Sequence, residues 1–421
     1  MNTDSQAITV SDGRRTIGSR ELIALLAMLM SGVALAIDIM LPAFGDIRAE
    51  FGLAEDSTAV AGLVTMFLFG LAVSQVFFGV LSDRFGRKPI LYVGIAIYVA
   101  GAVASMLAPS LGWLLVGRFV WGFGAAAPRM TTLSVLRDTY TGERMARALS
   151  FVMAIFILVP VVAPSIGAVL TDWVGWRGTF GFTAVFALVI GLWSLRLPET
   201  LKDENRLSLT WSDVMRAGRL VLTTRMTVGY TLALTALFGV FVSYIASSEL
   251  IFSDVYGLGD EFPLIFGGLA IAMGIAAIAN GYLVQRVGLE RLMRVVLNGY
   301  LVFSFGLAVL SLATDGSPPF WLFVIALALV TSMHSLLIPN MNTAAMIPMG
   351  RVAGTASAII GTVSVALGSL LGLFIDRAYD GGVTPLSLAF LILGVVAWGL
   401  ARWASAGFRT VVGEPAPVSA D

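Results

Sequence analysis

Five ionisable side chains lie inside long apolar stretches of this sequence, at Asp38, Arg118, Arg129, Glu249 and His334. An ionised group is costly in hydrocarbon, so such residues generally face a protein interior or a water-filled cavity and mark functional sites. Carboxyl and imidazole groups exchange protons, whereas the guanidinium of arginine remains a cation. These residue types in this setting predict a site that binds protons or a charged solute within a membrane-embedded core.

Asp38 lies in the second half of the first apolar stretch, one turn before Pro42. Proline removes a backbone donor, so the helix can bend at this point. Desolvation disfavours an ionised carboxyl and a nearby arginine favours it, so a change of access would let the group bind and release a proton. We interpret Asp38 as a proton-coupling and substrate-binding residue. The alternative is an aspartate that only hydrogen-bonds the neighbouring backbone.

Arg118 and Arg129 share one apolar stretch and are 11 residues apart. At about 100° per residue this spacing is about 20° from perfect register, which puts both on one helix face, about 16 Å apart along the axis. That face cannot be turned to lipid, so we expect it to line a central cavity or join a buried network. Arg129 either holds an anionic group of the substrate or extends toward the cytoplasmic membrane surface.

Three further residues are candidates for contact with a solute. Glu249 is either a protonation or cation-binding site or, with Asp254 close behind it, a charge at the outer surface. His334, the only histidine, is either a site residue or a satisfied residue of the helix bundle. Tyr244 belongs to a set of aromatic and methionine side chains that suit varied apolar ligands. The predicted substrate-binding residues are therefore Asp38, Arg129, Tyr244, Glu249 and His334.

The sequence carries no phosphate-binding loop, no metal-ligand cluster and no nucleophile triad, and it has no cysteine. Cysteine nucleophiles, thiolate metal sites and disulfides are thereby excluded. We therefore predict that the protein is not an enzyme, that it uses neither ATP nor a cofactor, and that the proton is its coupling ion.

Composition defines the elements that must position these residues. The chain is 58% apolar and 12% charged with no net charge, and its mean hydropathy is +0.90. A soluble domain is about a quarter charged, so a soluble enzyme, a nucleic-acid binder and a disordered chain are excluded. Spans of about 20 apolar residues indicate transmembrane helices rather than a β-barrel. We predict an all-α polytopic membrane protein with twelve spans: 21–43, 58–80, 89–109, 112–134, 147–170, 178–196, 226–252, 262–284, 292–313, 318–343, 352–375 and 384–404.

Basic residues are distributed unevenly about these spans. Of the 26, 21 fall in the two termini, in the loops on the same side or at the adjoining ends of spans. Two fall deep within a span, and three fall on the opposite side, namely Arg48, Arg177 and Arg377. Short loops rich in Lys and Arg remain in the cytoplasm. We therefore expect both termini to be cytoplasmic, in the cell inner (plasma) membrane.

The longest polar break divides the spans six and six. Residues 197–225 are predicted to link bundles 21–196 and 226–404, with cytoplasmic tails at 1–20 and 405–421; the alternative is an ordinary surface loop. A repeat supports the division, because Gly79–Lys88 recurs as a weaker copy at Gly281–Gly288. Parallel repeats place a substrate cavity between two similar halves near the middle of the membrane.

The segment Gly79–Leu91, GVLSDRFGRKPIL, resembles the loop signature of the major facilitator superfamily. Together with the span pattern, this resemblance covers nearly the whole chain and implies two pseudo-symmetric six-helix bundles that alternate access to a central site. It also implies a conformational latch between the bundles, although the same charges can serve as a topology anchor. The latch residues are Gly79, Asp83, Arg84, Gly86 and Arg87.

Other segments resemble the twelve-span drug–proton antiporters, especially the bicyclomycin- and chloramphenicol-resistance (Bcr/CflA) branch. They are Asp38–Pro42, Arg118–Gly124, Arg137–Asp138, the motif of Pro160, Pro164 and Gly167, and Ala353–Ala358. The resemblance implies proton coupling through Asp38 and Arg118 and an antiporter motif in the fifth span. The chain departs from these patterns at Ala163, where glycine is usual, and at Trp121, where glutamine is common.

These observations predict a secondary active transporter that exports small amphipathic compounds or drugs in exchange for protons. The alternative is a proton-coupled transporter of one anionic or zwitterionic metabolite, working as an exporter or an importer. The expected partners are a small-molecule substrate, protons and membrane lipids, without nucleic acid, and the expected state is a monomer.

Overall fold

The computed structural model describes residues 9–11, 16–201 and 211–405, and most of these residues are helical. The first half contains α1 Ser19–Asp38, α2 Phe44–Glu50, α3 Gly62–Phe85, α4 Arg87–Met106, α5 Leu111–Thr139, α6 Gly142–Val174 and α7 Trp176–Trp193. The second half contains α8 Trp211–Thr223, α9 Arg225–Leu250, α10 Phe262–Val287, α11 Leu289–Ala313, α12 Phe320–Met346, α13 Ala353–Asp376 and α14 Thr384–Ser405. A short antiparallel pair of strands, β1 Thr9–Ser11 and β2 Thr16–Gly18, precedes α1.

Twelve of these helices coincide with the predicted spans, which confirms the all-α polytopic fold. Eleven of them are long and apolar enough to cross a membrane by length and composition. The twelfth is α5, the helix that carries both Arg118 and Arg129. The two remaining helices are α2, which has seven residues, and α8, which lies in the segment predicted to be the linker.

The first half is held together by close approach of helix backbones. A Cβ atom added at Gly122 of α5 would lie 1.9 Å from the carbonyl oxygen of Phe67 in α3. Any larger residue would separate these helices, because a contact that short cannot be relieved by a side-chain movement. This packing encloses the α5 turn that contains Arg118, whose side chain is fully buried.

The two halves meet along two pairs of helices, α3 with α13 and α6 with α10. Between α13 and α3, the hydroxyl of Thr362 donates a hydrogen bond to the carbonyl of Ala72 at 2.8 Å. We call the side where α1 begins and α14 ends the terminal side, and the other the distal side. On the distal side, α2 and the 3-10 turn Thr58–Ala61 contact α9 and add to the closure between the halves.

Candidate substrate and proton site

A cavity of about 350 Å³ lies between the two halves. Both halves supply its wall: α1, α3, α5 and α6 from the first, and α9, α10, α12 and α13 from the second. Such a location matches the site expected for a protein built from two parallel repeats. The wall includes three of the predicted substrate-binding residues, namely Asp38, Arg129 and Tyr244.

Asp38 is the last residue of α1 and lines this cavity. Its position follows from the sequence, since the α-helix gives way to the 3-10 turn Leu41–Ala43, which contains Pro42. The residue is 4% exposed, and within the described part of the chain no side chain or backbone group hydrogen-bonds its carboxyl. A proton or a bound solute would therefore meet no protein competitor at this carboxyl.

Arg118 lies one layer behind the cavity wall. Its Nη1 donates to the carbonyl oxygen of Ala36 at 2.8 Å, and its Nε donates to the carbonyl oxygen of Leu63 at 3.1 Å. The guanidinium also lies over the rings of Phe67 and Trp121, 4.5 and 4.7 Å from their centroids, at a distance suited to cation–π attraction. Arg118 thus ties α1, α3 and α5 together just before Asp38, rather than contacting the carboxylate.

Arg129 lies about three helical turns from Arg118 and lines the cavity. It makes no hydrogen bond or ion pair with any residue that the structure describes. The sequence predicted that the helix face shared by Arg118 and Arg129 lines a central cavity or joins a buried network. In the structure each arginine has one of these two environments: Arg118 joins a buried network and Arg129 lines the cavity. Among the described residues that line the cavity, Arg129 on α5 is the one cation and Asp38 on α1 is the one carboxyl.

Tyr244 and several phenylalanines form the apolar part of the cavity wall. The Tyr244 ring is stacked on Phe266, with centroids 6.0 Å apart and an angle of 10° between the ring planes. Phe241, one helical turn earlier on α9, packs at 6.0 Å from Tyr244. This surface can bury an apolar ring or chain of a solute, while the two charged residues supply polar contacts.

His334 is buried behind the wall and is not a lining residue. Its imidazole is stacked on Phe241, with centroids 4.9 Å apart and an angle of 20° between the rings. Neither ring nitrogen has a hydrogen-bond partner among the described residues. Phe241 therefore separates His334 from the cavity, so a solute would contact His334 only if Phe241 moved.

Glu249 does not line the cavity but joins the two halves on the distal side. Both of its carboxylate oxygens lie 2.9 Å from Nη2 of Arg48 in α2. The two side chains are only 7% and 6% exposed. The position of Glu249 does not fit its interpretation as a substrate ligand, because Arg48, 201 residues earlier in the chain, binds its carboxylate. In the sequence, Arg48 was used only as a marker of membrane topology, and no pattern indicated that it pairs with Glu249.

The loop signature forms a network inside the first half. Arg87 contacts the carboxylate of Asp83, and its Nε lies 3.0 Å from Oδ2 of Asp138 at the end of α5. Glu199, after α7, accepts hydrogen bonds from the backbone amides of Arg87 and Lys88 at 3.0 and 3.1 Å. These contacts join α3, α4, α5 and the segment after α7, so in this state the predicted latch holds one half together rather than connecting both.

The other residues of the signature have separate roles. Gly86 has a φ angle of 104° between α3 and α4, and a Cβ there would lie 2.6 Å from Oε2 of Glu199. Gly79 does not mediate a close approach of two helices, because a Cβ added there would lie 3.6 Å from its nearest neighbour, the flexible end of Met130. Arg84 is exposed, and its guanidinium lies over the ring of Phe85.

The antiporter-like motif lies on α6, which continues from Gly142 to Val174 with Pro160 and Pro164 inside it. Pro160 lines the cavity. A Cβ at Gly167 would lie 1.8 Å from the carbonyl oxygen of Ile39, the residue after Asp38. Gly167 therefore allows α6 to contact the α1 backbone where the carboxyl enters the cavity.

Asp376 is a buried carboxyl that the sequence reasoning missed. It ends α13, one residue beyond the predicted span 352–375. The hydroxyl of Ser243 donates to its Oδ1 at 2.6 Å, while Oδ2 has no partner among the described residues. The second half thus also buries a carboxyl, although Asp376 lies outside the cavity wall.

Two helical halves around a central cavity with a carboxyl and an arginine define a multi-pass membrane transporter. The chain belongs to the Major Facilitator Superfamily, whose family model matches residues 23–373. It is 28% identical over 367 residues to a bicyclomycin resistance protein homolog of Haemophilus influenzae, covering 86% of this chain and 91% of that protein. It is 27% identical over 375 residues to a chloramphenicol resistance protein of Pseudomonas aeruginosa, covering 87% and 86%.

A solved structure of a D-xylose-proton symporter has the same fold, with a TM-score of 0.73 over 92% of this chain and 98% of that one. At 14% identity this likeness concerns the fold alone. The family model and the relatives confirm the predicted superfamily, its resistance-protein branch and the assignment as a transporter rather than an enzyme.

Proposed function

We propose that this protein exports small amphipathic compounds in exchange for protons by alternating access. The observation that carries the proposal is the position of Asp38, a buried carboxyl without a protein partner in an aromatic cavity between the two halves. A proton and a positively charged or hydrogen-bonding substrate would compete for this carboxyl, and such competition couples the two fluxes. The names of the two bacterial relatives, resistance proteins for bicyclomycin and chloramphenicol, support export.

The cycle requires the cavity to open to each side in turn. With the distal side open, Asp38 takes up a proton; with the terminal side open, a substrate displaces it. The buried pair of Arg48 and Glu249 must then break during distal opening, since it spans the two halves. Arg118 holds the carbonyl of Ala36, so a movement of α1 would change the surroundings of Asp38 directly.

A transporter of one anionic metabolite is the second candidate, and Arg129 favours it. A cation that lines the cavity without a described protein partner can bind a carboxylate or phosphate of a solute. The zwitterion variant of this hypothesis loses support, because Glu249 is paired with Arg48 rather than opposed to Arg129. Tight binding of one small acid, with no response to lipophilic cations, would favour this candidate over export of varied compounds.

Proteoliposomes with an internal pH dye test the proton step. Addition of chloramphenicol or ethidium to the wild-type protein is expected to release protons, and Asp38→Asn is expected to abolish that release. Asp254→Asn is the matched control, because Asp254 is a carboxyl that bonds Tyr379 outside the cavity. Full substrate-driven proton release by Asp38→Asn would refute the assignment of the proton site.

We further propose that the protein is a monomer in the inner membrane with both termini in the cytoplasm. The charge bias of 21 basic residues against three supports the cytoplasmic position of the termini. A reporter that is active only in the cytoplasm, fused after Asp421, is expected to be active, whereas the same reporter inserted at Asp260 is expected to be silent.

A further inference from the structure

A second cavity, of about 510 Å³, lies at the terminal end of the second half. It is bounded by α9, α11, α12 and α14 and shares no lining residue with the central cavity. Its inner wall is formed by the buried side chains of Tyr230, Leu297 and Met341. This cavity is therefore separate from the proposed substrate site.

Two arginines lie at the exposed edge of this cavity, Arg294 on α11 and Arg402 on α14. Arg294 pairs with Glu290 at 2.7 Å, but its side chain is 64% exposed, so this pair is weak and readily exchanged. Arg402 makes no ion pair with any described residue, and its guanidinium lies 4.8 Å from the ring centroid of Trp398. The edge thus has an excess of positive charge that can accept an anion.

A neutral hydrogen-bond donor completes the polar edge. Nε1 of Trp398 donates to Oδ1 of Asn298 at 3.0 Å, which fixes the orientation of the amide. The amide nitrogen of Asn298 makes no hydrogen bond to the described residues and remains available to a ligand. Two guanidinium groups and an amide on facing helices suit the oxygens of a phosphate.

The surroundings indicate where that phosphate comes from. The cavity lies at the membrane edge, because α11 begins at Leu289 and α14 ends at Ser405. The same two helices expose apolar side chains farther along the bundle, including Val302 at 67% and Val395 at 50%. Such surfaces can contact acyl chains while the headgroup is held at the edge.

We propose that this cavity binds the phosphodiester headgroup of an anionic phospholipid from the leaflet on the terminal side. Arg294 and Arg402 hold the phosphate oxygens, Asn298 donates one hydrogen bond, and the acyl chains lie along α11 and α14. By the charge bias this leaflet is the cytoplasmic one. Because the bound lipid would bridge α11 and α14, it would stabilise that half without entering the transport pathway.

Delipidated full-length protein in dodecyl maltoside provides the test. Phosphatidylglycerol, phosphatidylcholine and inorganic phosphate are titrated separately, and the thermal midpoint and the lipid retained in native mass spectrometry are recorded. Phosphatidylglycerol alone is expected to raise the midpoint and to remain bound. Removal of each cation, in Arg294→Gln and in Arg402→Gln, is expected to weaken the apparent affinity about fivefold.

Arg147→Gln is the matched control, since Arg147 forms an equivalent exposed pair with Glu143 at 2.9 Å but lies outside this cavity. Arg402→Lys keeps the positive charge and separates loss of binding from loss of folding; it is expected to retain most of the affinity. Equal stabilisation by phosphatidylcholine or by inorganic phosphate would overturn the proposal. So would unchanged phosphatidylglycerol binding in the Arg294→Gln/Arg402→Gln variant.

Discussion

Nη2 of Arg48 lies 2.9 Å from both carboxylate oxygens of Glu249, and this buried ion pair joins the two halves of the transporter on the distal side. Removing one partner of a buried pair leaves an uncompensated charge, which costs about 3–5 kcal/mol. That cost falls on the distally closed state, in which both groups are buried. The loss of either partner should therefore destabilise the distally closed state relative to the distally open one.

Glu249→Gln is expected to shift the protein toward the distally open state. A loss of about 3 kcal/mol corresponds to a change of more than a hundredfold in the equilibrium. Because the natural chain has no cysteine, spin labels at Glu55→Cys and Asp260→Cys, on distal loops of the two halves, report this opening as a longer inter-label distance. Arg177→Gln breaks an exposed pair with Glu50 inside one half and serves as the control. Unchanged distances in Glu249→Gln would contradict the role of the pair.

Arg118→Lys is expected to impair both stability and transport, although the charge is kept. A lysine cannot reproduce the two directed bonds to the carbonyls of Ala36 and Leu63 or the stacking on Trp121. Each lost charged hydrogen bond contributes about 1.5–3 kcal/mol. Thermal unfolding in detergent measures the effect, and the exposed residue Arg144 provides the control substitution Arg144→Lys. A wild-type midpoint for Arg118→Lys would show that the network is dispensable.

Arg129→Gln is expected to change which solutes bind without unfolding the protein, because Arg129 has no described protein partner to leave unpaired. Loss of a charged hydrogen bond weakens binding of an anion by about 1.5–3 kcal/mol, or about ten- to a hundredfold. A thermal-shift screen of cations, neutral compounds and small acids on both proteins measures this. Equal losses across all three classes would instead indicate that the substitution deforms the cavity.

Gly167→Ala is expected to destabilise the protein severely and to reduce transport. The added Cβ would lie 1.8 Å from the carbonyl oxygen of Ile39, so α6 would have to move away from α1 beside Asp38. Overpacking of this kind costs about 1–3 kcal/mol or more. Gly306→Ala is the control, since a Cβ there meets no atom within 4 Å and alanine favours a helix by about 1 kcal/mol. Comparable expression and melting of the two variants would contradict this account of the motif.

Hydropathy and repeated motifs were sufficient to predict the helices and the family. Each span is a run of about 20 apolar residues, and a run of that length has few stable conformations in lipid other than a helix. The segment Gly79–Leu91 and its partial copy at Gly281–Gly288 indicated two related halves. The cytoplasmic position of the termini stays a prediction, because it rests on charge bias alone.

The partners of the charged residues were decided only by the tertiary structure. Helical periodicity put Arg118 and Arg129 on one face, yet packing of α3 at Gly122 encloses the first, while the second lies at the depth of the cavity. Glu249 pairs with Arg48, 201 residues away, and no sequence pattern links the two. The sequence by itself determined the apolar spans and the five ionisable residues within them, because both follow directly from the composition along the chain. Which helix lies opposite each ionisable residue depends on how all twelve spans pack together, and no local sequence pattern specifies that packing.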